Sequence, residues 1–595
     1  MAKRKAVDNK TPPDKPGRLR DGLTWRLSDP GMGLLERAGL AALYMSLRAA
    51  EEMGVKDELA PLTWSESDLK SDSVTVRSTE DDKSALMKLF EWAWQVREGV
   101  LFFPAVHRDT AMKDNRHLRV ATHNGVFSTF LQHINVQPKL SREFHIVELD
   151  VGKSLRFSFE RPARRVDDLD QPLNPKTKRP FKKKVESFTV RPVNEVSKLL
   201  TGRGELQSGT VELSSWVFPG IAPRYDLEQA WEGPATTAVL NMLAPIACVF
   251  QRLPNEDNTS LVVVPDVQNL EDFDLGRNSP TIHGDPVWTD LASLSDAGLR
   301  FLSIYQTRRA RQELSSGCRI FAMGTVGFYN KGQCIRKGVV DIASEQRLLR
   351  RYRLLEKHLG NRWCRRRMET EQKPAVTKKK STEKSETGVP EANGFISVPT
   401  VRGRIADNLI LGQPWYFDLA EPLRWDHDAL ERQRKRRPGI SIERIWYENL
   451  SRYQKEPLMN LIREDEMWDD PLERDFAHVF WEILGALYYR EKEAVDRGGS
   501  RSWGDRIEDL NEDIRRNLTR AKTGPLLRET ISELLARPVE KYRSPTLRQN
   551  PGLMWRLIDR DWKRGRDLAL LALASYQNKE KREGTGTDKS ATAAD

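Results

Sequence analysis

Phe476–Tyr488 reads FAHVFWEILGALY, and Phe476, Val479, Phe480, Ile483, Leu484, Leu487 and Tyr488 recur at helical spacing. Such a stripe specifies an amphipathic helix that buries one face. Leu155–Glu160 reads LRFSFE, in which Leu155, Phe157 and Phe159 alternate with Arg156, Ser158 and Glu160. That period of two specifies a half-buried strand. The two patterns occupy different parts of the chain, which predicts an α+β fold. A mixed α/β N-terminal region with antiparallel strands comes first, and a C-terminal α-helical bundle follows.

Further stripes extend the bundle. Ile507, Leu510, Ile514 and Leu518 make one, and Leu527, Ile531, Leu534 and Leu535 another. Leu553–Leu573 supplies at least one more helix. Breaks at Gly498-Gly499, Gly524-Pro525 and Pro538 predict antiparallel neighbours. Near the N-terminus, Asp29-Pro30 predicts a helix start with Asp at N-cap, and Gly54 marks its end. Leu34, Ala38, Ala41 and Met45 form its buried face, and Leu86, Leu89, Phe90, Ala93 and Trp94 that of a second helix. Leu261–Pro265 (LVVVP) reads as a buried strand, and another is expected near Phe188–Arg191. Ile320–Val340 reads as a hairpin turning at Asn330-Lys331-Gly332, and Ser344–Cys364 as an arginine-rich helix.

The expected organisation is a disordered basic arm over 1–22, an α/β nucleic-acid-binding domain over 23–368, and a flexible linker over 369–398. A helical bundle over 399–580 and a disordered tail over 581–595 complete it. The linker contains ETEQKPAVTKKKSTEKSETGVPEANG, which has no aromatic and almost no aliphatic bulk.

At 595 residues the chain is too long for one core. Its net charge of +11 is moderate because acids are abundant, so positive charge acts locally, in dense runs. Leu173–Lys184 reads LNPKTKRPFKKK, with Lys176, Lys178, Arg179, Lys182, Lys183 and Lys184 and no acid. Its two prolines exclude a regular helix, which predicts a long basic loop between strands. Arg350–Arg367 carries Arg350, Arg351, Arg353, Lys357, Arg362, Arg365, Arg366 and Arg367 against the single Glu356. Runs of this kind, with Phe181 and Trp363 for stacking, are the electrostatic footprint of nucleic-acid binding. The bland alternatives are a solvated surface, or a helix that docks on an acidic partner. Arg515, Arg516, Arg560 and Arg564 on the bundle's polar faces are further candidate contacts for a nucleic-acid backbone, although a charged exterior is ordinary.

No catalytic set emerges. Pro265-Asp266 after LVVV supplies the first acid of a restriction-type nuclease, but EDFDLGRNSP lacks the matching lysine. His478 and Glu482 share a helical face without a third metal ligand. The acidic clusters Asp167–Asp170 and Glu464–Asp470 read as solvated turns, and no P-loop occurs. Cys248, Cys318, Cys334 and Cys364 are too far apart for a zinc ribbon or a disulfide framework, and reduced thiols fit best. The basic N-terminus has no apolar segment of the signal-peptide kind, and Thr236–Phe250 is too short to span a bilayer. A cytoplasmic, non-enzymatic protein without cofactor or metal is expected.

Four stretches carry a family resemblance: SDPGMGLLERAGLAALYMSL (Ser28–Leu47), SLVVVPDVQNLEDF (Ser260–Phe273), CRIFAMGTVGFYNKGQ (Cys318–Gln333) and ADNLILGQPWYFDL (Ala406–Leu419). In order and content the chain resembles the large subunit of CRISPR type I surveillance (Cascade) complexes of the Myxan subtype. The resemblance implies guide RNA, target double-stranded DNA and other Cascade subunits as partners. It also implies a helicase-nuclease or transposition proteins downstream, and no membrane. Such a subunit holds one end of the guide RNA, senses the short PAM duplex and supports strand opening. The resemblance also implies that the bundle over 399–580 is small-subunit-like and lines the displaced strand, with Met459 and Met467 as candidate internal starts for a separate product. PAM-reading residues do not transfer by motif; Tyr329, Asn330 and Lys331 are the candidates, with a plain β-turn as the simpler reading. A metal-dependent nuclease or transposase, or an RNA-binding scaffold unrelated to CRISPR, stays open at this point.

Overall fold

The computed structural model describes residues 19–107, 116–131, 140–150, 153–162, 193, 195–219, 230–253, 259–277, 290–306, 315–328, 331–365, 394–419, 455–497, 503–537 and 544–576. Contacts divide the chain into two units, Met1–Glu345 with Glu383–Phe395, and Gln346–Thr382 with Ile396–Asp595. The first mixes helices with antiparallel strands and the second is mainly helical, as the two periodicities predict.

The centre of the first unit is the helix Leu34–Glu52, buried on all sides from Ala38 to Leu47. It packs on the helix Ala235–Ala247 so closely that no side chain fits at position 39. A Cβ on Gly39 would stand 2.1 Å from the Leu240 carbonyl oxygen. The helix begins at Leu34, with Gly33 at its N-cap, and not at Asp29-Pro30. Asp29 instead closes the preceding turn: its carboxylate accepts the Arg26 N–H at 2.7 Å. A short polar side chain before proline serves a turn as well as a helix start, so the true start lies about one turn later than expected. Gly54, at φ +67°, follows the end as expected.

Beside these helices lies a four-stranded antiparallel sheet, Val249–Leu253, Thr259–Val267, Ser315–Phe328 and Lys331–Ala343 in spatial order. Its second strand is buried on both faces, which explains the unbroken LVVVP. The long hairpin formed by the last two strands pairs Phe328 with Lys331 and Gly327 with Gly332. Lys331 and Gly332 are therefore strand residues, and the turn falls earlier than expected. A separate hairpin, Leu140–Asp150 with Lys153–Pro162, carries the LRFSFE strand. Phe159 is buried and Ser158 exposed, as the alternation requires.

In the second unit the expected stripes become the helices Pro471–Asp496, Trp503–Arg520, Gly524–Ala536, Leu553–Arg560 and Trp562–Ser575. Phe476, Phe480, Leu484, Ile514, Leu527 and Leu568 form their shared core. Starts are set by side-chain caps: Asp470, Thr523 and Asp561 each accept backbone N–H groups of the following turn. Gly524-Pro525 is thus the first turn of a helix as well as a break. The arginine-rich helix runs Gln346–Leu359 and stops at Gly360, so Arg362–Arg365 is a strand and no part of that helix. Among the described residues, no helix is long and apolar enough to cross a membrane.

Candidate nucleic-acid interface

The helix Gln346–Leu359 places its cations along the acidic turn that opens the bundle, Glu464–Asp470. Arg351, with its side chain only 9% exposed, donates to Asp469 at 2.7 and 3.2 Å and to the Glu466 carbonyl at 2.9 Å. Arg347 also bonds Asp469, Arg350 reaches Glu466 at 2.9 Å, and Lys357 and His358 reach Glu464 at 3.2 and 2.7 Å. Arg351 beside Asp469 holds that carboxyl below the usual carboxylate range, and the His358 contact does the same for Glu464. Glu464–Asp470 is therefore not a solvated turn. The acidic partner for the arginine-rich helix lies in this same unit, so a phosphate would have to displace carboxylates already in place.

The bundle arginines are paired as well. Arg515 grips Glu512 through contacts of 2.8 to 3.0 Å, and Arg516 lies 3.9 Å from the same carboxylate. Arg564 bonds Glu473 at 2.9 Å and lies 3.3 Å from Asp561, while Arg560 bonds Asp470 and lies 3.8 Å from Glu473. Arg353 is half-buried and Arg362 exposed. Arg365 lies in a strand, with its side chain outside the described residues. Arg366, Arg367, the basic loop with Lys176, Lys178, Arg179, Lys182, Lys183 and Lys184, the strand expected near 188–191, and Tyr329 and Asn330 all lie outside the described residues.

The acids weighed for metal chemistry have other partners. Asp266 accepts from Arg37 at 2.8 Å and from the Ser316 hydroxyl. Glu482 accepts from Thr546 at 2.8 Å and from Ser544, the N-cap of the helix Pro545–Gln549, while His478 stacks on Trp481. Among the described residues, no group of three or more His, Cys, Asp or Glu side chains could hold a metal ion. Cys248 and Cys318 are buried, which pushes their thiols well up and leaves them inert.

One basic site escapes sequence reading. The strands Gln95–Arg97 and Val100–Phe102 are joined by Glu98 and Gly99, both at positive φ, a tight turn that presents Arg97. The Arg97 guanidinium lies 3.8 Å from the centroid of the Phe102 ring, and that of Arg119 lies 5.3 Å from the same ring. Arg119 also donates to the Arg97 carbonyl at 2.7 Å and to Glu98 at 3.2 Å. One turn earlier on the helix Arg116–Thr129, Arg116 lies 5.9 Å from the Phe159 ring. No run marks these cations; only the Glu98-Gly99 turn, of a kind favoured in two-residue hairpins, could have pointed to them.

Residues 24–162 match the DevT N-terminal domain, and residues 464–595 match the DevT C-terminal domain. The chain is 25% identical over 602 residues to the CRISPR-associated protein Cas8a1/Csx13 of Myxococcus xanthus (strain DK1622), covering 96% of this chain and 92% of that relative. These findings bear out the resemblance to the large subunits of type I Cascade complexes.

Proposed function

We propose that this Cascade large subunit is a non-catalytic holder of nucleic acid: it grips one end of the guide RNA, senses the PAM duplex and supports strand opening. It then recruits a helicase-nuclease or transposition proteins. The observation that carries the reading is the end-to-end match to Cas8a1/Csx13. The ties of Asp266 to Arg37 and Ser316 favour it over a nuclease, because a carboxylate that neutralises an arginine is a poor ligand for a metal ion.

The hairpin Ser315–Ala343 supports the duplex-sensing part. The strand Thr259–Val267 pairs with it only as far as Met323. Beyond that point, residues 324–328 and 331–335 continue as a two-stranded ribbon, about 16 Å long at the rise of an extended strand. A major groove admits such a ribbon. Gly327 opposite Gly332 leaves one rung without side chains, so the backbone can approach a duplex closely. The basic loop with Lys182, Lys183 and Lys184 is assigned to backbone phosphates.

The test is an assembled complex challenged with a library of PAM duplexes. Alanine at Tyr329, Asn330 and Lys331 should reduce target-duplex binding and blur discrimination among PAM variants, with guide-RNA assembly unchanged. Unaltered discrimination would remove the hairpin tip from the reading. Alanine at Lys182, Lys183 and Lys184 should weaken binding to all sequences and flatten the salt slope by up to about one unit for each phosphate no longer neutralised. Metal-dependent cleavage by the pure protein that disappears in Asp266→Asn would replace the whole reading with the nuclease alternative.

A further inference from the structure

We infer that Arg97, Arg116 and Arg119 form a phosphate cradle for a nucleic-acid backbone, at a site separate from the basic loop 173–184. The inference rests on the nucleic-acid-holding function proposed for the chain and names a place where the holding is done.

Charge balance points to an anion. Three guanidiniums gather on one turn and one helix face, and among the described side chains the single carboxylate beside them is Glu98, 66% exposed and already bonded to Arg119. Arg97 and Arg116 have no ion pair within the described residues. This contrasts with Arg350, Arg351, Arg515, Arg560 and Arg564, each of which has a carboxylate in reach. Arg119 feels both signs of its surroundings, with Glu98 as its counter-charge. Burial first, and then Arg116 and Arg97, disfavour its charged form, against the opposing pull of Glu98.

Unmet hydrogen bonding points the same way. The Nε atoms of Arg116 and Arg119 and both ring nitrogens of His117 are buried without a partner. His117 is 3% exposed, and burial and His145 lower its pKa to about 4, so its ring is neutral. Buried donors left open cost free energy, and most native ones are satisfied. An oxyanion at this site would supply acceptors for the two Nε–H groups and for the one N–H of the neutral His117 ring, together with the missing charge.

The packing of the site selects the kind of anion. Phe102 is itself buried beneath Arg97 and Arg119, so it orients the guanidinium planes and leaves no ring face for a base. Arg119 spends its Nη groups on Glu98 and the Arg97 carbonyl, and Arg97 its Nε on Gln95 at 2.9 Å, which leaves the Nη groups of Arg97 and Arg116 for the oxygens of a phosphodiester, a planar fit that ammonium groups lack. Three cations spread over a turn and a helix match successive phosphates of a polyanion better than one small anion. The shared chemistry is the phosphodiester backbone, and the strand type is left to experiment.

The test measures fluorescence anisotropy of labelled single-stranded RNA, single-stranded DNA and duplex DNA with the full chain, across a salt titration. Arg97→Gln and Arg116→Gln should each weaken binding and reduce the salt slope by about 0.7 to 0.9 for each phosphate no longer neutralised, and together they should cost on the order of tenfold in affinity. Arg97 is exposed, so its substitution leaves folding intact even if the Arg116 variant proves unstable. Arg97→Lys should restore the slope. Arg319→Gln, which removes a guanidinium already paired with Asp341 at 2.6 Å, should leave binding unchanged. The probe whose affinity falls most identifies the strand held here. If the wild type binds a probe and Arg97→Gln and Arg116→Gln bind it equally well with the same slope, this inference alone fails. It also fails if Arg97→Lys flattens the salt slope as much as Arg97→Gln, which would make Arg97 a packing residue. A wild-type chain that binds none of the probes would sink both this inference and the function it rests on.

Discussion

The pairing of the helix Gln346–Leu359 with the turn Glu464–Asp470 makes an asymmetric prediction. In Asp469→Asn, Arg351 stays nine-tenths buried with the Glu466 carbonyl and at most one neutral amide oxygen, and has lost this carboxylate's charge. A buried charged donor left without its partner costs about 1–3 kcal/mol. Asp469 is 53% exposed, so water shares its place and the expected cost falls in the lower half, about 1–2 kcal/mol. In Arg351→Met the buried cation is gone, the apolar stem is retained, and Asp469 is resolvated. That change should cost about 1 kcal/mol or less. The double variant should then cost little more than Arg351→Met, for a coupling energy of about 1 kcal/mol. Sign follows from the lowered Asp469 pKa. The stabilisation is complete above the ordinary aspartate pKa, about 3.9, and fades as pH falls through the folded value below it. Asp469→Asn should remove that acid dependence. The assay is urea titration read by hydrogen exchange of amides in 346–359, since two units need not unfold together. If Asp469→Asn costs no more than Arg351→Met, or the two add to within about 0.3 kcal/mol, the ion pair does not hold this helix.

Other outcomes follow from neighbouring interactions. A fragment 346–580 should fold, whereas 440–580, which leaves Glu464, Glu466 and Asp469 without their cations, should show a lower urea midpoint; equal midpoints would detach the arginine helix from the bundle. Gly39→Ala forces a backbone shift against Leu240 and should cost about 1–3 kcal/mol, seen as a lowered melting temperature, and an unchanged one would refute the close helix packing. Asp68, bonded by Arg77 and lowered to about 2, should contribute stability that is lost as pH falls from about 4 through about 2. Asp68→Asn should flatten that acid limb in circular dichroism.

Periodicity makes most of the fold legible, because a buried face must recur at the period of its own element. The stripe from Phe476 to Tyr488 and the alternation from Leu155 to Glu160 both report local geometry, and both elements lie where their periods place them. Asp29-Pro30 is ambiguous because the same two residues satisfy a turn. Charge is different in kind. A run of arginines states what is present and says nothing of what faces it. Arg351 meets Asp469 across 118 residues of sequence, so the basic run and the acidic turn, which taken singly suggest a phosphate surface and a solvated bend, are two halves of one contact. The cradle at Arg97, Arg116 and Arg119 inverts the case: no run announces it, yet folding gathers three cations around two rings with one carboxylate. An electrostatic site is thus defined by the counter-charge that folding withholds. That criterion ranks Arg97 and Arg116 of the first unit above Arg350, Arg351, Arg515, Arg560 and Arg564 of the second as contacts for a phosphate backbone.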